Sequence, residues 1–261
     1  MLLCGSVNMS SSLYRFGPVW HTRRMNPPSI NRYQIHCFPA EIISHAVRLY
    51  SRFCLSYRDV EELLFARGII VTYEAIRKWC RKFGQQYANK LWRRRPKSGD
   101  KWHLDEVFLT INGERHYLWR AVDQDGTVLD ILVQRWRDKQ AAKKFFRKLL
   151  KDLTYVPRVI ITDKLKSYGA AKLELVPNVE HRQHRYLNNR AENSHQPTRH
   201  RERRMQGFKS AGHAQRFLAA YGPIAQHFRP RRHLLPASVY RQEMRQRLHT
   251  WQELTGLPTA A

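Results

Sequence analysis

Cysteine is scarce in this chain. Four are present, Cys4, Cys37, Cys54 and Cys80, with none beyond residue 80 and none in a C-x-x-C pair. That argues against a disulfide framework or a cysteine zinc site and suits a reducing compartment. Acid is in short supply as well: 21 Asp and Glu stand against 47 Lys and Arg, a formal net charge of +26. A surface that repels itself this strongly calls for a polyanionic partner, nucleic acid first and an anionic membrane surface second. Long apolar runs are also missing, since none approaches the roughly 18–20 residues of a spanning helix. The basic residues are spread along the chain rather than gathered beside such a run, so no membrane partner is expected. There is no G-x-x-x-x-G-K-S/T loop to cradle a nucleotide, and no internal repeat. The opening MLLCGSVNMSSSLYRFGPVWHTRRM has a short apolar stretch with no basic segment before it, unlike a signal peptide. Residues 1–38 are read as a disordered extension, with Met25 as an alternative initiator.

What is present is enough to fold. The chain has 261 residues, 42% of them apolar, sufficient for one medium domain and a small one. Three helical patterns follow one another after Pro39. The first places Ile42, Ile43, Ala46, Val47, Tyr50 and Phe53 at spacings of three and four. The second opens at Ser56 with Asp59 three residues on, as in a capping box, buries Val60, Leu63 and Leu64, and stops at Gly68. The third opens near Thr72. It turns Ile76, Trp79 and Phe83 to a core and Arg77, Lys78 and Arg81 outward. A three-helix unit with a basic outer face on its last helix fits a helix-turn-helix over residues 39–90, with those three cations facing DNA. A plain bundle with a solvated face would look the same. The basic stretch WRRRPKSGD, with Pro96 and Gly99, reads as a linker over residues 91–100.

The periodicity then changes. Residues 101–111, 115–123 and 127–134 alternate as strands, separated by Asn112-Gly113 and Asp125-Gly126, both hairpin signals. Residues 138–153 form an amphipathic helix. RVIITD, residues 158–163, is a β-branched run suited to a buried central strand. A helix, a brief extended piece after Pro177, the arginine-rich helical segment and a helix over residues 210–229 follow. The expected fold class is α/β: a ribonuclease H-like mixed sheet flanked by helices over residues 101–235, preceded by the helix-turn-helix. A basic helical tail covers residues 236–261.

Three acids stand in suggestive places. Asp105 lies in the middle of the first strand, where a carboxylate is costly to bury unless paired or bound to metal. Asp163 ends the buried strand, and open α/β sheets place ligands at the carboxyl ends of strands; it could equally cap the next helix. Glu192 lies on a helix amid arginines, where an ion pair is the plain alternative. Glu106 is a rival to Asp105, but strand alternation sends it to the other face. Hard divalent cations such as Mg²⁺ or Mn²⁺ take oxygen ligands. Two of them roughly 3.5–4 Å apart activate an attacking oxygen and stabilise a leaving one. His181, His184, His195 and His200 fit no familiar zinc spacing. Trp102, Trp119 and Trp136 read as core or sheet-edge residues, and Trp92 as packing or base stacking.

HLDEVFLTINGERHYLWRAVD, VIITDKLKSYGAA and NNRAENSHQPTRHRERRMQGFKS, in that order, resemble the DDE transposases of bacterial insertion sequences, and within them the group named after insertion sequence 6. The resemblance runs from about Phe38 to the C-terminal region. It implies Asp105, Asp163 and Glu192 as catalytic metal ligands and Arg199, seven residues after Glu192, as the family's basic residue. Only 28 residues separate Asp163 from Glu192, a shorter interval than the family usually shows, and the flanking NNRAEN fixes the match. Further implications are two Mg²⁺ or Mn²⁺ ions, terminal inverted repeats and target DNA as substrates, and a replicative route through cointegrates. A homo-oligomer on paired ends and a cytoplasmic, nucleoid-associated protein are implied too. Two alternatives stay open: a DNA-binding protein with an inert catalytic domain, and a nuclease of the same fold without strand transfer.

Overall fold

The computed structural model describes residues 38–257 apart from Lys97, Thr154 and Arg231. The expected extension up to residue 37, the alternative start at Met25, Cys4 and Cys37 lie outside the described residues.

The three expected helices form: α1 (Ala40–Arg52), α2 (Tyr57–Phe65) and α3 (Tyr73–Arg93). Ser56 and Asp59 make the capping box, with the Ser56 side chain accepting from the Asp59 amide and Asp59 accepting from the Ser56 amide at 2.8 Å. Gly68 has φ +74°, and Ile69 N–H reaches back to the Leu64 carbonyl, closing α2 with a left-handed turn. Thr72 caps α3. Phe53 and Leu63 depart from the expected stripes and are exposed; Phe53 follows the last residue of α1 and carries the Arg52 guanidinium over its ring. The third helix is longer than expected and takes the first residues of the supposed linker. It runs through Gly84 because Tyr87, Ala88 and Leu91 extend its buried stripe. Their burial outweighs the roughly 1 kcal/mol that a mid-helix glycine costs.

Among the described residues, one five-stranded sheet has the order β3-β2-β1-β4-β5. Strands β1 (Lys101–Ile111), β2 (Glu114–Asp123) and β3 (Val128–Gln134) are an antiparallel meander. Asn112 and Gly113 take positive φ at the first turn and Gly126 at the second. Strands β4 (Val159–Thr162) and β5 (Glu180–Gln183) are parallel to β1, which pairs Leu104 with Thr162. Alternation along β1 divides its side chains. Trp102 and Leu104 pack under α4 (Lys139–Leu153) and α5 (Lys166–Leu175), against Phe145, Phe146 and Tyr168. Val107, Leu109 and Ile111 pack under α8 (Ala211–His227), against Leu218 and Tyr221. This is the ribonuclease H-like arrangement of a mixed sheet covered on both faces.

The arginine-rich segment is two helices, α6 (Asn189–Ser194) and α7 (Gln196–Arg204), rather than one. Pro197 sits in the first turn of α7, where its missing N–H costs nothing, and the chain breaks at His195 just before it. Helix α9 (Ala237–Thr255), expected as a tail, folds back instead. Its Trp251 and Leu254 enter the same core as Ile43, Val60, Trp79 and Phe83, together with Ile224 of α8 and Phe228, which ends that helix. Trp251 meets Tyr87 and Phe228 edge-on, at 5.1 and 5.3 Å between ring centroids. Helix α8 thus serves the sheet with one face and the helical module with the other.

Trp251→Ala should lower the unfolding free energy by about 3–5 kcal/mol, the usual cost of emptying a large aromatic site. Urea denaturation monitored by far-ultraviolet circular dichroism checks this. A change under 1 kcal/mol would mean that α9 does not belong to the core.

Candidate active site

The parallel pairing of β1 and β4 sets the site. Leu104 is level with Thr162, so the next residue on each chain, Asp105 and Asp163, stands beside the other where β4 ends. One carboxylate oxygen from each of Asp105, Glu106 and Asp163 lies within 4.8 Å of the others. Alternation had suggested that Glu106 would be remote. The two side chains do leave opposite faces, Asp105 toward His195 and Glu106 toward Arg137 and Tyr168. Beyond Thr162, however, β1 has no strand neighbour on that side, and both can converge on the open edge.

Each acid is held differently. Asp163 Oδ1 accepts the Leu165 amide at 3.0 Å, a turn just ahead of α5 rather than the helix cap that was the alternative, since α5 has no side-chain cap; Oδ2 lies 3.6 Å from Arg137. Glu106 is buried. Its Oε1 accepts from Arg137 Nε at 2.6 Å, while its Oε2 has no hydrogen-bond partner among the described residues. Burial, with the nearby Asp163 charge adding to it, pushes the Glu106 carboxyl up to about 7 against opposing contacts from Tyr168 and Arg137. Asp105 is mostly buried and faces its cross-strand neighbour Arg120 and the His195 ring, whose Nε2 lies 3.4 Å from Oδ2.

Arg120 is a buried cation in the middle of β2. It donates to the Ser194 carbonyl and, at 2.6 Å, to Thr198 Oγ1, clamping the junction of α6 and α7 onto the sheet. Asn188 adds a bond to the Leu104 carbonyl at 2.8 Å. His195, buried at that junction, is held neutral: burial brings its pKa down to about 4, with the Arg120 and Arg199 charges helping and Asp105 opposing. Glu192 rides on the same clamped helix, one turn ahead of His195. It is solvent-exposed and stands outside the cluster of three. Arg199 is exposed on α7, with its guanidinium 5.9 Å from the Phe108 ring centroid. Arg77, Lys78 and Arg81 lie far along the chain on α3; Lys78 and Arg81 are exposed, and Arg77 pairs with Glu74 at 2.7 Å.

The donor set fits a hard divalent cation. Three carboxylates crowd together, Arg137 pairs with two of them, and a buried Glu106 oxygen lacks a hydrogen-bond partner among the described residues, an arrangement a metal would relieve. Arg120, Arg137 and the nearness of Glu106 escaped the sequence reading. An arginine inside the apolar run LWRAV was the available signal for Arg120, because a lone charge in a buried strand needs a partner.

A family model described as a DDE domain, of the IS240 transposase type, matches residues 99–231. The transposase for insertion sequence element IS257 in transposon Tn4003 of Staphylococcus aureus is 32% identical over 191 residues, 70% of this chain and 83% of that protein. The transposase for insertion sequence-like element IS431mec of Staphylococcus aureus strain Mu50 matches to the same extent. Among solved structures, the HTLV-2 integrase catalytic core domain in complex with magnesium aligns with a TM-score of 0.32 at 15% identity, over 38% of this chain and 67% of that chain.

The neutral, buried His195 makes stability depend on pH. Its folded pKa of about 4 lies below the ordinary 6.5, so the unfolded chain binds the extra proton first. The contribution is complete above 6.5 and is lost as pH falls toward 4, by up to about 3 kcal/mol. Urea midpoints measured from pH 7 to 4 should fall more steeply for wild type than for His195→Gln. Parallel curves would assign the acid sensitivity elsewhere.

Proposed function

The chain belongs to the DDE transposases of the insertion sequence 6 family and is a DDE-type DNA transposase; from that premise we propose that it binds the terminal inverted repeats of its element, cuts there and joins the freed end to target DNA. The single observation that carries the chemistry is the meeting of Asp105 and Asp163 where β4 stops, with Glu106 beside them.

Asp105, Asp163 and Glu192 are the proposed ligands of two Mg²⁺ or Mn²⁺ ions. When bound, such ions polarise the phosphodiester and lower the pKa of an attacking hydroxyl. Asp105 lies in β1 and Asp163 directly follows β4, its neighbour, which fixes their spacing. Glu192 comes from α6, which Asn188 and Arg120 anchor to the same strands. His195, neutral at physiological pH, steadies Asp105 without adding a charge that would repel a cation. Arg137 spans Glu106 and Asp163 and offsets part of their repulsion. The exposed Lys164, Lys166 and Arg199 border the acids and attract the phosphate backbone. Water first attacks the phosphodiester at the element's end, leaving a 3′-hydroxyl. That hydroxyl then attacks a target phosphodiester, so one ester bond replaces another and no nucleotide is consumed. The helical module would hold the repeats through Arg77, Lys78 and Arg81. A multimer on paired ends, a cointegrate product and a nucleoid location complete the proposal.

The test is joining of labelled terminal-repeat DNA to a target plasmid with Mg²⁺. Asp105→Asn, Asp163→Asn and Glu192→Gln should each cut joining at least about 100-fold while repeat binding persists, as expected when groups that act together are removed singly. If Glu106→Gln abolishes joining and Glu192→Gln does not, the third ligand is Glu106. If folded wild type binds repeats and never joins them, the transposition reading falls. Product that is cleaved but unjoined would leave a nuclease.

A further inference from the structure

Two large aromatic rings stand exposed beside the acids with no apolar partner that explains them. Phe108 is 53% exposed and Trp136 is 65% exposed. Phe108 lies two residues beyond Glu106 on the same face of β1, so the two side chains emerge about 7 Å apart. Trp136 precedes Arg137, the residue that bonds Glu106 and reaches toward Asp163. Trp136 lines an open groove of about 520 Å³ whose other walls are Arg115, Tyr117, Arg135, Arg137 and the acids Glu114 and Asp138; Arg115 also reaches the Phe108 ring.

Arginines already lie on both rings. The Arg115 and Arg199 guanidinium carbons are 5.2 and 5.9 Å from the Phe108 centroid, and that of Arg135 is 5.4 Å from the Trp136 centroid. A ring exposed in water and flanked by cations is matched to a ligand that is flat, aromatic and anionic at its edge. Glu114 and Glu106 pair with Arg135 and Arg137, whereas no ion pair holds Arg115 or Arg199 among the described residues, and an apolar protein partner would have to bury those two charges uncompensated. A nucleotide satisfies both halves, its base on the ring and its phosphate on the arginine.

We propose that Phe108 and Trp136 form a stacking platform for unpaired bases of the DNA strand next to the scissile phosphate. The platform rests on the proposed transposase chemistry for the identity of the strand, and adds that the duplex is opened there. Bases next to a phosphate seated at Asp105 and Asp163 would be unstacked from their neighbours and received by the two rings, with Arg115, Arg135 and Arg199 taking the adjoining phosphates. Stacking does not select among bases, so the platform serves element ends and variable target sequence alike.

The test uses the full chain and three fluorescein-labelled probes of equal length: a twelve-residue oligothymidine strand, an abasic strand with the same phosphates, and a duplex. Anisotropy titrations should show wild type binding the base-bearing strand about tenfold or more tightly than the abasic one, the size expected of a single stacked base. Phe108→Ala with Trp136→Ala should remove that preference and leave abasic binding unchanged. Phe108→Tyr with Trp136→Phe should restore it. Matching thermal melting of the variants verifies folding, which these exposed positions should not disturb. Equal affinity for the base-bearing and abasic strands in wild type would overturn the platform and leave a phosphate contact. An equal loss of duplex binding would overturn it in favour of a duplex surface. A wild-type dimer that the double alanine variant dissociates, with no base preference, would overturn it in favour of a contact between copies. Failure of the transposase reading looks different: folded wild type would bind repeat DNA and never join it to target, whatever the base preference.

Discussion

Everything at the site depends on one register, the parallel pairing that sets Leu104 of β1 level with Thr162 of β4. Two carboxylates that repel one another are thereby brought together, one within β1 and one directly after β4. Trp102, Leu104, Val159, Ile160 and Ile161 are all buried, and their burial holds the register against the repulsion. A slip of one residue would turn Asp105 into the core under α4 and α5 and Leu104 toward α6, so the apolar pattern protects the chemistry by making misregistration costly. The short β4 matters as much. Because it stops at Thr162, the edge beyond is open, and carboxylates from both faces of β1 can reach it.

Buried arginines extend this order outward. Arg120 ties the sheet to the α6–α7 junction. Arg201 of α7, almost fully buried, donates to the Leu55 carbonyl at 2.8 Å and lies over the Tyr50 ring at 3.9 Å, with Phe217 and Tyr221 nearby. Three residues on, Arg204 meets Asp59, the acid that caps α2, at 2.6 Å. The helix carrying Thr198 on one side therefore touches the helical module on the other. Cations in such places cannot be exchanged for lysine without loss, since their planar forks use several donors at once and stack on rings.

Much of this could be read in the residues. The hairpin turns, the capping box, the Gly68 stop and the buried VIIT strand follow from local rules that depend on neighbours a few positions away. Asp105 and Asp163 stand out because acids in apolar strands are expensive. Other features depend on contacts remote in sequence. The convergence of Glu106 with Asp105 requires knowing where β4 ends. Arg137 and Arg201 are two among 47 cations, and nothing local sets them apart from solvated ones; beside these two, Arg120 alone is marked, by the apolar run LWRAV around it. The split at His195 was foreshadowed by Pro197, yet its consequence, a neutral histidine against Asp105, appears only once α6 is docked. Helix α9 hides its role for a similar reason: in a basic helix, Trp251 and Leu254 are too few to announce a core.

The return of α9 to the first helices also sets the order in which the molecule can close. Trp251 and Leu254 share a core with Ile43, although the whole sheet lies between them in sequence. A ribosome makes α1, α2 and α3 long before α9, so the helical module packs fully only once α9 has emerged. By then the β1 and β4 segments, with Asp105 and Asp163, have already been made. The module that comes first in sequence is therefore the last to be finished.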